Sequence, residues 1–347
     1  MSSKQESATR WLSKKLSEAK GAYALASALT VISAGSFVVF AWYLSRFASS
    51  WLDHGLVLAE PLLLSLLFLA GRYVLAHFAS ILNYNAGNII VSGIKKQIYP
   101  ILLNNSRLDS TTSALYVTKI SDDLKPYFAF FVPYAVASVL VGGLLLMVCF
   151  WTEKWVGFVL LISFFVIPVQ MIVIGIGAET LHKKHINLFL KYSAVFYNRL
   201  HTIAEIVNLD NFKPQYRFLS EKSGALNKAT TNVMRVAILS SAVLELFVTI
   251  SIAGVAIYLG MSLLGIMPGP NYGKGYDFGK ALFLLTLSPY FFFYLRKFVS
   301  AYHDRNKALA SAELLMPILA EETVAATQST DETLRGFEIN GLSFAYP

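Results

Sequence analysis

The sequence predicts an all-α membrane protein with six transmembrane helices and long cytoplasmic helical arms. The chain of 347 residues is 55% hydrophobic and only 14% charged, with a mean hydropathy of +0.54. That composition is far too apolar for an ordinary soluble domain. Apolar stretches of membrane length recur along the chain. Two long polar segments between them are rich in helix-forming residues, and these segments predict the arms.

Each of the six apolar stretches is long enough to cross a hydrocarbon core of ~30 Å. They lie at about residues 22–45, 57–82, 128–150, 155–178, 233–265 and 279–300. The last one is the weakest as a simple span, because Pro289, Arg296 and Lys297 lie within it or at its end. An even number of spans places both termini on the same side of the membrane.

Basic residues are distributed unevenly between the predicted loops. With the N-terminus inside, the external loops contain only Arg46, Lys154, Lys274 and Lys280. The positive-inside rule therefore places both termini and both long loops in the cytoplasm. This topology accounts for the net charge of +8. Because the chain has no ladder of basic and aromatic residues, no nucleic-acid partner is expected.

The sequence gives no sign of catalytic chemistry in the spans. The single cysteine, Cys149, lies in an apolar stretch, so it forms no intrachain disulfide and is expected to serve packing. No Ser-His pair, paired aspartates or HExxH arrangement occurs in the spans. We therefore assign no catalytic residue and no metal site.

The first twenty residues are polar and basic and carry one short apolar face. Trp11, Leu12 and Leu16 share that face if residues 7–19 are helical. This pattern favours an interfacial helix lying on the membrane. A frayed basic tail is the alternative.

The two long internal segments, 84–126 and 179–232, each need a turn at the far end. Turn-forming residues occur at 103–113 and at 208–215. In the second segment, Pro214 is expected to interrupt a continuing helix. The candidate tip residues are Arg107, Asp109, Asp210 and Lys213.

The fifth apolar stretch contains the most specific sequence pattern in the chain. The string RVAxLSSxxLExFxxxSIA begins at Arg235, and it resembles the fifth membrane helix of the CydD-type subunit of a heterodimeric bacterial ABC exporter. Shorter segments resemble the same family in the same order along nearly the whole chain. They are TRWL (9–12), DLKPYFAFFVP (123–133), IPVQMIVIGIGAE (167–179), FYNRL (196–200), LSPYFFFYLR (287–296) and AYHDRNKALASAE (301–313).

The resemblance implies the transmembrane domain of a type IV ABC exporter, whose arm tips are coupling helices that dock on nucleotide-binding domains. An elbow helix would occupy 1–20, the transmembrane domain 21–322, a linker 323–336, and the first strand of a nucleotide-binding domain 337–347. Tyr346 would then stack on adenine. The chain has no GxxxxGK[ST] loop, so ATP and Mg would bind through an ATPase domain that these residues do not contain.

Proteins similar to this chain pair with a CydC-type subunit in the bacterial inner membrane. They export cysteine and glutathione and support the assembly of cytochrome bd. The resemblance thus implies three partners: membrane lipid, a CydC-type second subunit in a heterodimer, and a small thiol substrate. Two alternatives stay open: an ABC exporter of haem, lipid, peptide or drug, and a truncated membrane scaffold that does not transport.

Four residues are candidates for a substrate cavity: Arg72, Glu245, Tyr302 and His303. Arg72 lies in the second span and matches a family arginine. A lone arginine in hydrocarbon needs a counter-ion. A substrate carboxylate and Glu245 are the two alternatives, and both stay open. Tyr290 stands where the family often has glutamate.

Haem is a possible but doubtful cofactor. His303 follows Tyr302 in a Tyr-His pair like that of the family, and a neutral imidazole can ligate haem iron. A histidine at the membrane–water interface is the alternative interpretation. Asn85 and Asn88 stand where family members tend to carry histidines, and asparagine does not replace imidazole as an iron ligand. His77, one helical turn before residue 81, is a candidate substitute for them.

Overall fold

The computed structural model describes residues 3–54, 59–104, 110–175, 178–266 and 276–325. This part of the chain is almost entirely helical and contains no strand, which confirms the all-α prediction. Several predicted features lie outside it: the tip residues Arg107 and Asp109, most of the linker 323–336, and the strand 337–347 with Tyr346.

Long helices form wherever apolar runs continue directly into the polar arms. In the described residues the helices are α1 (Ser3–Lys15), α2 (Lys20–His54), α3 (Ala59–Asn104), α4 (Ser110–Leu115), α5 (Val132–Thr152), α6 (Lys154–Gly175), α7 (Ala178–His201), α8 (Ile203–Asn208), α9 (Phe212–Leu263) and α10 (Phe278–Ala325). A 3₁₀ turn at Leu16–Ala19 joins α1 to α2, and π-helical turns at Tyr116–Ile120 and Tyr127–Phe131 precede α5.

Five helical stretches are long and apolar enough to cross a membrane. They are Ser7–Leu52, Ala59–Leu102, Tyr127–Thr152, Phe212–Leu263 and Phe278–Leu319. Each covers all or most of one predicted span, so the chain is a multi-pass membrane protein. The predicted span 155–178 falls on α6, of which Lys154–Ile167 counts as a shorter apolar helix. The total of six spans therefore stays a prediction.

The sixth predicted span, expected to be the weakest, is the most deeply buried of the five stretches. α10 runs without a break through Pro289 and Pro317. Transmembrane helices tolerate an internal proline where neighbouring groups satisfy the freed carbonyl. Around Pro289 the fully buried Leu284, Phe291 and Phe292 pack into the bundle. Packing of these neighbours thus compensates for the backbone hydrogen bond that Pro289 removes. This proline was one reason why the sixth span looked weak in the sequence.

α10 connects two hydrophobic clusters of the molecule. One cluster, the span cluster, joins α2, α5, α6 and α9 to the first half of α10, with Leu145 and Phe292 at its centre. The other, the arm cluster, joins α1, α3 and the π-helical turns to the second half of α10, with Ile94 and Phe128 fully buried. The same helix is therefore the core element of both halves.

The apolar face of α1 contacts protein. Ala8 and Leu12 have no exposed surface and lie in the arm cluster beside Leu315. Burying a leucine side chain contributes about 1.5–3 kcal/mol, which anchors this short helix to the end of α10. Leu12 of the predicted face thus packs on protein, whereas Trp11 and Leu16 are only half-buried, and a position of this helix at the membrane surface stays a prediction.

The second arm is a hairpin of α7 and α9 joined by the six-residue helix α8. Asp210 has φ 50°, and the amide of Asn211 donates to the carbonyl of Ile206 while that of Asp210 donates to Val207. These are the paired bonds of a Schellman motif, with Asp210 in the left-handed position. The chain reverses here, and Pro214 lies in the first turn of α9. The expectation that Pro214 interrupts a helix is thus corrected, because a proline is tolerated in a first turn.

Candidate functional site

A cavity of about 660 Å³ opens between α2, α3, α5 and α10. Its volume is typical of small-molecule sites. The wall is mostly aromatic and aliphatic, with two cations and no carboxylate. Its lining residues are Thr30, Arg72, Tyr73, Val74, Ala76, His77, Ala79, Ser80, Asn83, Ala129, Phe130, Pro133, Tyr134, Ala137, Phe293, Tyr294 and Lys297.

Arg72 projects from α3 into a group of three aromatic rings. Its guanidinium carbon lies 4.5 Å from the ring centre of Tyr290, 4.7 Å from that of Phe37 and 5.0 Å from that of Tyr73. The hydroxyl of Ser33 donates to the backbone carbonyl of Arg72 at 3.1 Å and ties α2 to α3 at this level. None of the ion pairs formed by the described residues includes Arg72. Its positive charge is therefore held by aromatic faces and stays available to an anion.

Lys297 is the second cation of the cavity. The sequence pattern marks it only as a charge at the end of a span. Its ammonium lies 4.5 Å from the ring centre of Phe293 and 5.1 Å from that of Tyr134. No described carboxylate forms an ion pair with it. The spacing of Phe293 and Lys297, four residues apart on one helix face, is the signal that could have identified it.

Glu245 forms its ion pair with Arg296 of α10. The Oε1 atom of Glu245 lies 2.9 Å from the Nη2 atom of Arg296. Glu245 therefore does not act as the counter-ion of Arg72, which was one of the two alternatives. The helical rotation of α10 explains this, because successive residues project about 100° apart. Arg296 faces α9 while Lys297 faces the cavity.

Among the four predicted cavity residues, only Arg72 lines this cavity. Tyr302 lies further along α10, with its ring 6.3 Å from that of Phe131 and 5.6 Å from the guanidinium of Arg305. His303 is half-buried, and its buried Nε2 atom has no hydrogen-bond partner. A substrate role for Glu245, Tyr302 and His303 stays a prediction.

Haem binding stays a prediction, because a single axial side chain can hold haem iron. No group of three His, Cys, Asp or Glu side chains among them is arranged to hold a metal. Tyr302 and His303 lie outside the cavity, and the imidazole that does line it, His77, is not accompanied by a second. Asn85 and Asn88 supply no imidazole. We therefore derive no step through haem.

A histidine on the second arm is buried beside a lysine and two other histidines. His182 of α7 is buried, and loss of solvent lowers its pKa from 6.5 to about 4, with further contributions from Lys307, His303 and His185. Burial likewise lowers the pKa of the neighbouring His185. The cluster joins α7 to α10, and Lys183 pairs there with Glu313 at 2.8 Å. With this lowered pKa, His182 is neutral at pH 7.

The tip of the second arm exposes large apolar side chains next to basic ones. Leu209 is 77% exposed, and Phe212 and Tyr216 also lie mostly in solvent. The predicted tip residues Asp210 and Lys213 are exposed in the same short stretch. Exposed apolar groups on a polar arm are typical of a protein-binding surface.

The fold and the cavity are consistent with the membrane domain of a transporter, and the known relatives of the chain are ABC transport ATP-binding/permease proteins. The chain is 25% identical over 340 residues to the transport ATP-binding protein AarD of Providencia stuartii, which covers 95% of this chain and 58% of that protein. It is 26% identical over 324 residues to the glutathione/L-cysteine transport system ATP-binding/permease protein CydD of Escherichia coli K12, covering 90% and 55%.

A third relative is the glutathione/L-cysteine transport system ATP-binding/permease protein CydC of Bacillus subtilis 168, 25% identical over 197 residues that cover 56% of this chain and 33% of that protein. No protein-family model matches the chain. The chain spans about half the length of the curated relatives it matches most fully. It matches the CydD-type membrane region, which confirms the resemblance found in the sequence.

Proposed function

We propose that the chain is the membrane-spanning part of an ATP-driven exporter subunit that moves a small thiol carrying a carboxylate, cysteine or glutathione, out of the cytoplasm. One observation carries the proposal: Arg72 lines a cavity of small-molecule size without a carboxylate partner among the described residues. The glutathione/L-cysteine transport named for the relatives supports the choice of substrate.

In this proposal the subunit lies in the bacterial inner membrane with both termini in the cytoplasm. A CydC-type second subunit completes a heterodimer, and export of the thiol supports the assembly of cytochrome bd. ATP and Mg bind to ATPase domains that the described residues do not include. The exposed tip around Asp210 and Lys213 docks on such a domain, as does the tip at 103–113.

The residues of this chain would bind and orient the substrate and pass on motion. Arg72 donates charge-assisted hydrogen bonds to the substrate carboxylate, which are stronger than neutral ones. The rings of Phe37, Tyr73 and Tyr290 contact the guanidinium and hold it in place. When ATP draws the tips together, the stiff arms transmit the movement to the cavity, as in rigid-body switching.

Transport into inverted membrane vesicles tests the proposal. Vesicles containing the full-length subunit and its CydC-type partner would be given labelled glutathione or cysteine with ATP. A partner-domain variant that cannot hydrolyse ATP is the control. We expect uptake that depends on ATP, is lost in Arg72→Ala and is partly kept in Arg72→Lys. Uptake no greater than in the hydrolysis-deficient control would overturn thiol export.

A further inference from the structure

The cavity holds two cations that come from different helices and that rest on one continuous aromatic wall. Tyr290, below Arg72, stacks on Phe293, below Lys297, with the ring centres 6.1 Å apart. The two cations thus lie over neighbouring rings of α10. Both side chains line the same cavity of about 660 Å³, a volume typical of a site for one small molecule.

No carboxylate of the described residues forms an ion pair with either cation. The lining of the cavity contains no Asp or Glu. Both Arg72 and Lys297 are half-buried, where a like charge nearby is screened less than in open water. Aromatic faces attract a cation but leave its charge in place. A ligand that carries two negative charges would therefore reduce the repulsion between Arg72 and Lys297.

The neighbouring residue on α10 shows that the fold can supply a carboxylate at this depth. Arg296 is paired with Glu245 at 2.9 Å. Lys297, one residue further, faces the cavity and is supported only by Phe293 and Tyr134. Cations in this part of α10 can therefore form ion pairs, and the cation that faces the cavity is the one that does not.

We propose that Arg72 and Lys297 together select a ligand with two carboxylates, so that the cavity favours glutathione over cysteine. This inference rests on the proposed function, in that it takes the cavity as the substrate site. Arg72 binds one carboxylate of the ligand and Lys297 the other, while the aromatic wall contacts the apolar parts of the peptide between them. Lys297 is the specificity-determining residue, because a monocarboxylate needs only Arg72.

Ligand-induced thermal stabilisation of the detergent-solubilised full-length complex tests the inference without requiring transport. The probes are glutathione, glutathione esterified at one carboxyl group, glutarate and butyrate. We expect half-maximal stabilisation by glutathione and glutarate at concentrations at least about tenfold lower than for the monoester and butyrate. Lys297→Gln should remove this preference, and Lys297→Arg should restore it.

The matched control is Lys280→Gln, which removes an exposed cation from the same helix outside the cavity and should leave the preference unchanged. Equal stabilisation by monocarboxylates and dicarboxylates, or an unchanged preference in a folded Lys297→Gln variant, would overturn the inference. A preference for dicarboxylates without uptake of glutathione into vesicles would instead refute thiol export and leave the two-cation cavity standing.

Discussion

Two neighbouring cations on α10 have different partners. Arg296 forms an ion pair with Glu245 of α9, whereas Lys297 rests on the rings of Phe293 and Tyr134 and shares a cavity with Arg72. In the first region a carboxylate neutralises the charge, and the pair links two helices. In the second region the charge stays available. The difference shows how one helix can stabilise the bundle on one side and present a binding site on the other.

The strongest test of this comparison is the removal of the cation that aromatic rings support. Arg72→Ala should lower the catalytic efficiency of thiol transport by at least about 100-fold, since a ligand carboxylate left without its partner in a partly buried site costs about 3 kcal/mol or more. Initial rates in inverted vesicles measure this. Arg72→Lys should keep part of the activity, and equal activity of the alanine variant would remove Arg72 from the site.

A pH titration extends the comparison to a buried group that must stay neutral. Above pH 6.5 His182 is uncharged in the folded and the unfolded chain, but between pH 6.5 and about 4 only the unfolded chain binds the proton. The free energy of unfolding should therefore fall as the pH is lowered through this window, by up to about 3 kcal/mol.

Thermal midpoints of the solubilised protein, followed by tryptophan fluorescence, measure this pH effect. His182→Asn should flatten the dependence within that window, because its side chain does not titrate. His201→Asn, which changes an exposed histidine on the same helix, is the control and should retain the wild-type profile. An identical slope in the two variants would exclude His182 as the cause.

The aromatic support of Arg72 can be removed without touching the charge. Tyr290→Leu should reduce transport efficiency by about tenfold, because loss of a partly desolvated cation–π contact costs about 1–2 kcal/mol and leaves the guanidinium free to turn away. Tyr290→Phe keeps the ring and should remain near wild type. If the phenylalanine variant loses as much activity as the leucine variant, the hydroxyl rather than the ring is the important group.

The smallest effect is expected for the ion pair itself. Glu245 is 58% and Arg296 41% exposed in their side chains. Polar interactions between membrane helices contribute about 0.6 kcal/mol on average. A double-mutant cycle of Glu245→Gln and Arg296→Gln, read as thermal stability, should give a coupling energy below about 1 kcal/mol and no change in ligand preference. A larger effect on ligand binding than on stability would make this pair part of the site.

The sequence could predict the helices and one residue of the cavity, because both follow from local pattern. Apolar length predicted the spans, and an arginine within hydrocarbon had to face a cavity or a partner, which identified Arg72. The partner of Glu245 could not be predicted in this way. It depends on how α9 and α10 are rotated about their axes, and that rotation is set by packing across the bundle.

Other differences from the sequence predictions have the same origin. The pattern on α1 does not show that Leu12 packs against the end of α10, because that contact depends on tertiary structure. Pro289 looked like a break, but buried neighbours compensate for it. Asp210 carries the turn that Pro214 was expected to make, because an aspartate accepts the left-handed conformation in which the second arm reverses.

The unbroken length of α10 has a mechanical consequence. At 1.5 Å per residue its 48 residues form a rod roughly 72 Å long. A rotation of about 5° around the middle of such a rod would move its two ends by roughly 3 Å in opposite directions. The arm cluster holds one end of α10 and the span cluster holds the other. A small repacking around Leu315 that rotates the helix would therefore displace Phe283 by a distance comparable to the length of a hydrogen bond.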